Sequence, residues 1–476
     1  MAYPEWVEKE RRPGTNITCI RGKYYLYEVT SVWCKEKGRA QKKTGKYLGR
    51  ITEEGLIPPR KKNPPVDTTN ISVKEYGASS FLQEAGKDIL EKLKERFPED
   101  GEKIFSLAAL RIIEKCPFKR AEFLYEKSYL SEVFGKLDLS PSKLTGFLRE
   151  FGKKREQIVG FMKEYLMDSQ YILFDGTNII SESQGMDINR IGYNSHRQFD
   201  PQINLLYAFS VKDRQPGYYR VLPGNIRDVS SFKKSVEELG IKNTVMIADK
   251  GFGSKENFDY LEESGLNFII PLRRNNGYCD RNKLKTGNRA DFDGHFIFNE
   301  RVIWYYEYTI DGKRFIMYLD ENLKAKEERD YLCRLEEKCE NFSEEDFMEK
   351  QYNFGTITFH TNLNDSPKDV YLLYKTRNEI ELTFDFLKNL LEQDQTYLQD
   401  QYAVETWAFI NHISLMLVYE IYRRLKAADL LSKFSVRDFI IHLKYIPKIK
   451  INSSWVTGEI SGKTQKLLDA LQIHIT

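Results

Sequence analysis

Between residues 170 and 272 the chain alternates apolar runs with amphipathic stretches, in an order that few folds accommodate. QYILF (170–174) reads as a strand ending in Asp175-Gly176, and QINLLYAFSV (202–211) and YYRVL (218–222) read as further strands that a hairpin can join. SSFKKSVEELG (230–240) has helical spacing with Gly240 at its end. NTVMIA (243–248) is then a buried strand ending at Asp249. Lys250-Gly251-Phe252-Gly253 turns the chain into a helix over 254–264, and NFIIPL (267–272) is a fifth strand.

Three strands, a helix, a strand, a helix and a strand form the order of an α/β ribonuclease H-like core. In that layout the first and fourth strands are neighbours, which would set Asp175 beside Asp249. Either Asp alone is a weak sign, because turns after strands favour this residue.

A second feature lies downstream. Tyr374, Arg377, Glu381 and Lys388 are spaced so that, on one helix, they fall within an arc of about 60°. Leu372, Leu373, Ile380, Leu382, Phe384, Phe386, Leu387, Leu390 and Leu391 give the same segment ample surface to dock on a core. The simplest reading of Arg377 and Glu381 is an i,i+4 pair on a solvated face, worth a few tenths of a kcal/mol. Two further acidic residues at matching places would change that reading, and Asp175 and Asp249 are candidates.

Three carboxylates about 4 Å apart repel by about 4 kcal/mol per pair at an effective dielectric near 20. They coexist only with cations bound or protons retained. Mg²⁺ suits them, because it prefers carboxylate oxygens and keeps waters for substrate phosphates. Two such ions would activate a water or a 3′-hydroxyl and stabilise the leaving oxygen in phosphoryl transfer. Arg377, Lys388 and the Tyr374 hydroxyl could then hold a nearby phosphate.

Y-x2-R-x3-E-x6-K is the signature of the insertion-sequence-4 class of DDE transposases, and the chain matches it at Tyr374, Arg377, Glu381 and Lys388. It also resembles that class at FDGTNI (174–179), PGNIRD (223–228) and IADKGF (247–252), and looks closest to the longer, insertion-sequence-1634-like members. The match is looser at 196–202, HRQFDPQ, which receives no catalytic role. The resemblance implies Asp175, Asp249 and Glu381 as ligands of two Mg²⁺ ions, with Mn²⁺ able to substitute. Tyr374, Arg377 and Lys388 would grip the DNA strand near the transposon end. Asp385, one turn beyond Glu381, is the rival ligand if the register shifts. A dimer on paired ends, a hairpin step and cut-and-paste chemistry on inverted repeats are further implications. Two alternatives stand beside them: a ribonuclease H-like nuclease that cuts without joining, and a non-catalytic DNA-binding relic.

The rest of the chain fits around this core. Residues 1–70 hold 15 Lys and Arg against 8 Asp and Glu, a net of +7 that leaves −4 on the remainder. This basic β-rich segment, with Tyr and Trp interleaved, has the footprint of contact with a polyanion. Pro58 to Pro65 reads as a linker, and 71–168 as a helical DNA-binding region. The core would run over 169–272 and 367–476, interrupted by a β-rich insertion at 273–366. There RVIWYYEYTI, Asp311-Gly312 and KRFIMYL form a hairpin, and Trp304 could stack on a DNA base. Trp407 to Tyr422 is an apolar helix expected to bury against the sheet. No run of 18 apolar residues and no signal-peptide start are present, so the expectation is a cytoplasmic, DNA-associated protein without a membrane span. The six cysteines contain no C-x-x-C pair, which argues against structural zinc or a disulfide framework.

Overall fold

Two compact units divide the chain: Met1–Ile71 with Ile451–Ser454, and Ser72–Lys450 with Trp455–Thr476. The computed structural model describes residues 3–34, 38–59, 71–115, 117–194, 198–225, 229–242 and 244–475. Most of the proline-bearing linker, His196 and Arg197, and residues 226–228 of the PGNIRD motif lie outside the described residues.

In the first unit, β1 (Thr15–Ile20), β2 (Lys23–Cys34), β3 (Arg39–Thr52) and β4 (Gly55–Ile57) form an antiparallel meander in sequence order. Arg21 and Gly22 both take positive φ, 50° and 77°, as a two-residue hairpin turn with the twist of its strands requires. Val7, Ile17, Leu26 and Ile51 make a small core, with Tyr3, Trp6 and Tyr24 packed on it.

The second unit is built on one large mixed sheet. It contains β5 (Ser72–Glu75) in a separate small pairing with residues 447–450. The main sheet begins with β6 (Tyr171–Ser181), β7 (Arg190–Tyr193), β8 (Phe199–Ser210) and β9 (Gln215–Pro223). After the helix Val229–Leu239 come β10 (Val245–Ala248), the helix Lys255–Glu263 and β11 (Asn267–Pro271). β8 pairs antiparallel with β6 and with β9, whereas β10 runs parallel to β6 and β11 parallel to β10. The order across this half is therefore β9-β8-β6-β10-β11, with the first and fourth strands of the predicted run side by side.

One detail departs from the sequence pattern. β6 does not stop at Asp175-Gly176 but continues to Ser181, paired with β8 as far as Ile180 opposite Gln202. Thr177, Ile179 and Ile180 are β-branched and favour the pleated strand, so tertiary pairing overrides the Asp-Gly turn signal.

The insertion extends the same sheet. β12 (Gly294–Phe298), β13 (Arg301–Ile310) and β14 (Lys313–Asp320) are antiparallel, and β15 (Thr356–Thr361) bridges β14 to β11. Asp311 and Gly312 close the β13–β14 hairpin with φ of 52° and 78°. The charged helix Glu321–Glu336 buries only Tyr331.

The apolar run near residue 410 belongs to the helix Gln401–Ala427, buried along most of its length. It packs on β9 and on the helices Gly101–Glu114 and Pro141–Phe151. Phe409 touches Phe97, Phe151 and Phe161, and Arg111 donates to Asn411 Oδ1 at 3.1 Å. The helices of 77–163 thus share one core with the sheet rather than closing around their own. Among the described residues no helix is long and apolar enough to cross a membrane.

Candidate active site

Strand register places the first two acidic residues. β10 pairs with β6 through Val245 opposite Tyr171 to Ala248 opposite Phe174. The next residue on each strand is Asp249 and Asp175, so the two lie side by side at the spacing of neighbouring strands, about 4.8 Å. Asp175 is deep in the sheet, and its Oδ1 accepts from the Gly176 amide at 2.8 Å.

The third acidic residue comes from a helical segment that is not one continuous α-helix. Helix Pro367–Lys375 starts at Ser366, whose hydroxyl accepts from the Asp369 amide, with Pro367 in the first turn. It ends where the Thr376 hydroxyl bonds back to the Leu373 carbonyl at 2.6 Å. The amides of Thr376, Arg377, Glu379 and Ile380 all bond to the carbonyl three residues earlier, tightening the chain around Arg377. A second helix runs Asn378–Asp385 and passes into a π-turn over Phe386–Leu390. Buried Tyr371, Tyr374, Ile380 and Leu387 anchor the whole segment, the Tyr374 ring lying 4.5 Å from that of Phe359.

Arg377, at the junction, gathers the carboxylates. Its Nη2 lies 2.6 Å from Asp175 Oδ2 and 3.7 Å from Asp249 Oδ1, and its Nη1 lies 2.9 Å from Glu381 Oε1. Those two aspartate oxygens are therefore at most 6.3 Å apart, the sum of the two contacts to one nitrogen. One guanidinium in contact with all three also brings Glu381 well within a nanometre of both aspartates. Burial works against the charge of Arg377, but Asp175 and Asp249 outweigh it and raise its affinity for the proton above the ordinary value. Its Nε is buried and has no hydrogen-bond partner among the described residues.

Burial also dominates at Asp175, where it raises the carboxyl above its usual range; Arg377 opposes this and Asp249 adds to it. At Asp175 the guanidinium does not offset the effect of burial. Three carboxylates and one guanidinium leave two negative charges. The all-oxygen donor set is right in kind for a hard divalent cation. Among the described residues no group of three or more His, Cys, Asp and Glu side chains stands ready around a common point, because Arg377 occupies the middle. The donor types suit such an ion, and in this arrangement the Arg377 guanidinium takes the place among them.

The Tyr374 hydroxyl is pushed up to about 12 by burial, with Arg377 pulling the other way, so the phenol stays neutral and can donate. Lys388 lies in the π-turn, half-buried; burial lowers its ammonium and the carboxylate acting on it is Asp394. Lys388 thus follows Glu381 through a π-turn rather than along an unbroken α-helix. Asp385 is exposed and accepts from Asn389 at 2.7 Å, so of the two rivals it is Glu381 that Arg377 holds. Trp304 packs against Phe292 and His295 with Arg289 over its ring. On β13 it faces opposite to Arg301 and Ile303, which line the cleft beside the carboxylates.

That cleft, about 800 Å³, is what the sequence reading missed. It begins at Asp249, Tyr374 and Arg377 and is lined by the end of β11, the insertion strands and the helices Glu321–Glu336 and Pro367–Lys375. Its cations are Lys250, Arg273, Arg274, Arg301, Lys375 and Arg377, against Asp249, Asp320 and Glu327. Arg274 pairs with Glu327 at 3.0 Å and Arg301 with Asp320 at 2.7 Å, while Lys250 and Arg273 form no ion pair among the described residues. The available signal was the Arg-Arg pair directly after an apolar strand.

No curated protein matches the chain. Among solved structures it is similar to the piggyBac transposase synaptic complex with hairpin DNA, at 11% identity and a TM-score of 0.38, covering 72% of this chain and 70% of that one. The family model for the transposase DDE domain matches residues 167–417, from before β6 to within the long buried helix. That match spans more than half of the sequence, and the chain belongs to the transposase DDE-domain family.

Proposed function

We propose that this DDE transposase mobilises an insertion sequence by cut-and-paste, binding inverted repeats, hydrolysing the phosphodiester at each end and joining the freed 3′-hydroxyl to target DNA. The observation that carries the reading is the guanidinium of Arg377 in ion-pair contact with Asp175, Asp249 and Glu381 at once. The strand order supports reading the core as ribonuclease H-like, and the insertion-sequence-4 signature supports the finer class.

Asp175, Asp249 and Glu381 would hold Mg²⁺, with Mn²⁺ as a substitute. Bound there, the metal supplies an activated oxygen nucleophile and stabilises the leaving oxygen. The protein's own residues do the rest. Arg377, released from the carboxylates, offers a fork and a free Nε to a phosphate. Tyr374 stays protonated and donates. Lys250 and Arg273 attract the backbone into the cleft, whose cations outnumber its carboxylates. Two protomers would act together on paired ends.

The test is cleavage and strand transfer with labelled DNA carrying the element's ends in Mg²⁺. Asp249→Asn is expected to lose several kcal/mol of transition-state stabilisation, a fall of about a thousandfold, with end binding retained. Near-parental cleavage by that variant removes Asp249 from the mechanism. Cutting without joining by the parent, given pre-cut ends and target plasmid, makes it a nuclease instead.

A further inference from the structure

The β2–β3 pair outruns its own sheet. β1 covers β2 only as far as Glu28, and β4 covers β3 only over Arg50–Thr52. Beyond them the pair continues from Val29 opposite Thr44 to Cys34 opposite Arg39, and past Val29, whose amide still bonds to the Gly14 carbonyl, no third strand pairs with it among the described residues. This two-stranded ribbon starts at an irregularity where Glu28 lies opposite Gly45 and Lys46. Such a bulge bends a ribbon and raises its twist.

Two independent features mark this ribbon as a contact surface. Arg39, Lys42, Lys43 and Lys46 lie on it, residues 29–34 and 39–46 contain no acidic side chain, and none of the four cations forms an ion pair with a described residue. Val32 and Trp33 are 51% and 65% exposed, an expense of apolar surface that an isolated ribbon does not need. Lysines can guard a strand edge against pairing with other chains. An edge guard gives no reason for a bare Trp. Register puts Trp33, Ala40, Ser31 and Lys42 on one face and Val32, Gln41, Thr30 and Lys43 on the other.

We propose that this ribbon enters the major groove of duplex DNA, with its lysines on the phosphate walls and Trp33 on base edges. The inference rests on the reading of the chain as a DNA transposase and assigns the surface that holds the duplex. Two strands about 4.8 Å apart match a groove about 12 Å wide, which admits a β-ribbon. Cations on both faces can meet phosphates on either side, and the ribbon's apolar residues supply contact that phosphates cannot.

The test uses the full chain and a fluorescein-labelled, mixed-sequence duplex, followed by anisotropy from about 50 to about 200 mM salt. The triple variant Lys42→Ala, Lys43→Ala, Lys46→Ala is expected to bind about ten- to a hundredfold more weakly. Its slope of log affinity against log salt should be shallower by about 2 to 3, since each lost phosphate contact removes about 0.9. Trp33→Ala is expected to weaken binding several-fold with the slope unchanged. Methyl green, a major-groove ligand, should compete, and distamycin, a minor-groove ligand, should not. Circular dichroism and melting should match the parent, because these side chains are exposed. Parental affinity and slope in the triple variant overturn the ribbon and leave the carboxylate chemistry standing, as does competition by distamycin alone. A parent chain that binds no duplex at all overturns both readings.

Discussion

Replacing Arg377 by Met keeps the unbranched apolar stem of the side chain but removes the cation in contact with three carboxylates. Asp175 sets the scale, with side-chain exposure of 13% beside 19% for Arg377; Glu381, at 59%, contributes little. Breaking a buried pair from one side costs about 3–5 kcal/mol, because the other charge is left uncompensated. Asp175 already has its proton affinity raised by burial, so it can escape part of that penalty by protonation, and the lower end of the range is expected. In chelator, urea denaturation of Arg377→Met should therefore show a loss of about 3 kcal/mol. Millimolar Mg²⁺ or Mn²⁺ should then restore stability to the variant more than it adds to the parent, since no guanidinium competes for the site. Saturation at a hundred times the dissociation constant would return about 2.7 kcal/mol. A variant as stable as the parent in chelator, or one indifferent to both ions, would show that the carboxylates are neither charged together nor placed for a cation.

Two other predictions concern pH. Glu75 accepts from the amides of Ala78 and Ser79, yet burial raises its carboxyl to about 7 from an ordinary 4.5. Stability from this group is full below about pH 4.5 and lost as pH rises through about 7, by at most about 3 kcal/mol. Glu75→Gln should flatten that limb in denaturation from pH 5 to 8, and an unchanged slope would contradict the assignment. His412 is fully buried, and neither ring nitrogen has a partner among the described residues. Burial, with Arg155 adding to it, lowers it to about 3 from 6.5. Its neutral form supports the fold above about pH 6.5, and that support is lost as pH falls towards 3, at up to about 1.4 kcal/mol per pH unit. His412→Leu should relieve this acid limb and cost under about 1 kcal/mol at pH 7, and an acid limb as steep as the parent's would refute it.

Much of the core could be read from the chain because its signals are local. Apolar runs ending at Asp249, the helical spacing of 230–240 and the Asp311-Gly312 turn each follow from a few consecutive residues. The departures arise where distant segments decide. The Asp-Gly turn signal at 175–176 yields to a strand because β8 pairs with β6 on both sides of it, from Ile172 to Ile180. Helical spacing gathers Tyr374, Arg377 and Glu381 on one side but reveals neither the break at Thr376 nor the π-turn that carries Lys388 towards Asp394. Alternation on β13 separates Trp304 from Arg301 and Ile303, yet only the packing of β14 and β15 says which face meets the cleft. The place of Arg377 among three carboxylates was the least legible feature, since spacing along a helix does not report how far a guanidinium reaches across a sheet.

The most direct measurement is anomalous diffraction from crystals grown in Mn²⁺. Manganese is expected on the carboxylates of Asp175 and Asp249, with Glu381 alongside and the Arg377 guanidinium swung out of their midst. Saturating Mn²⁺ that leaves Arg377 bridging all three, with manganese found only elsewhere, would contradict it.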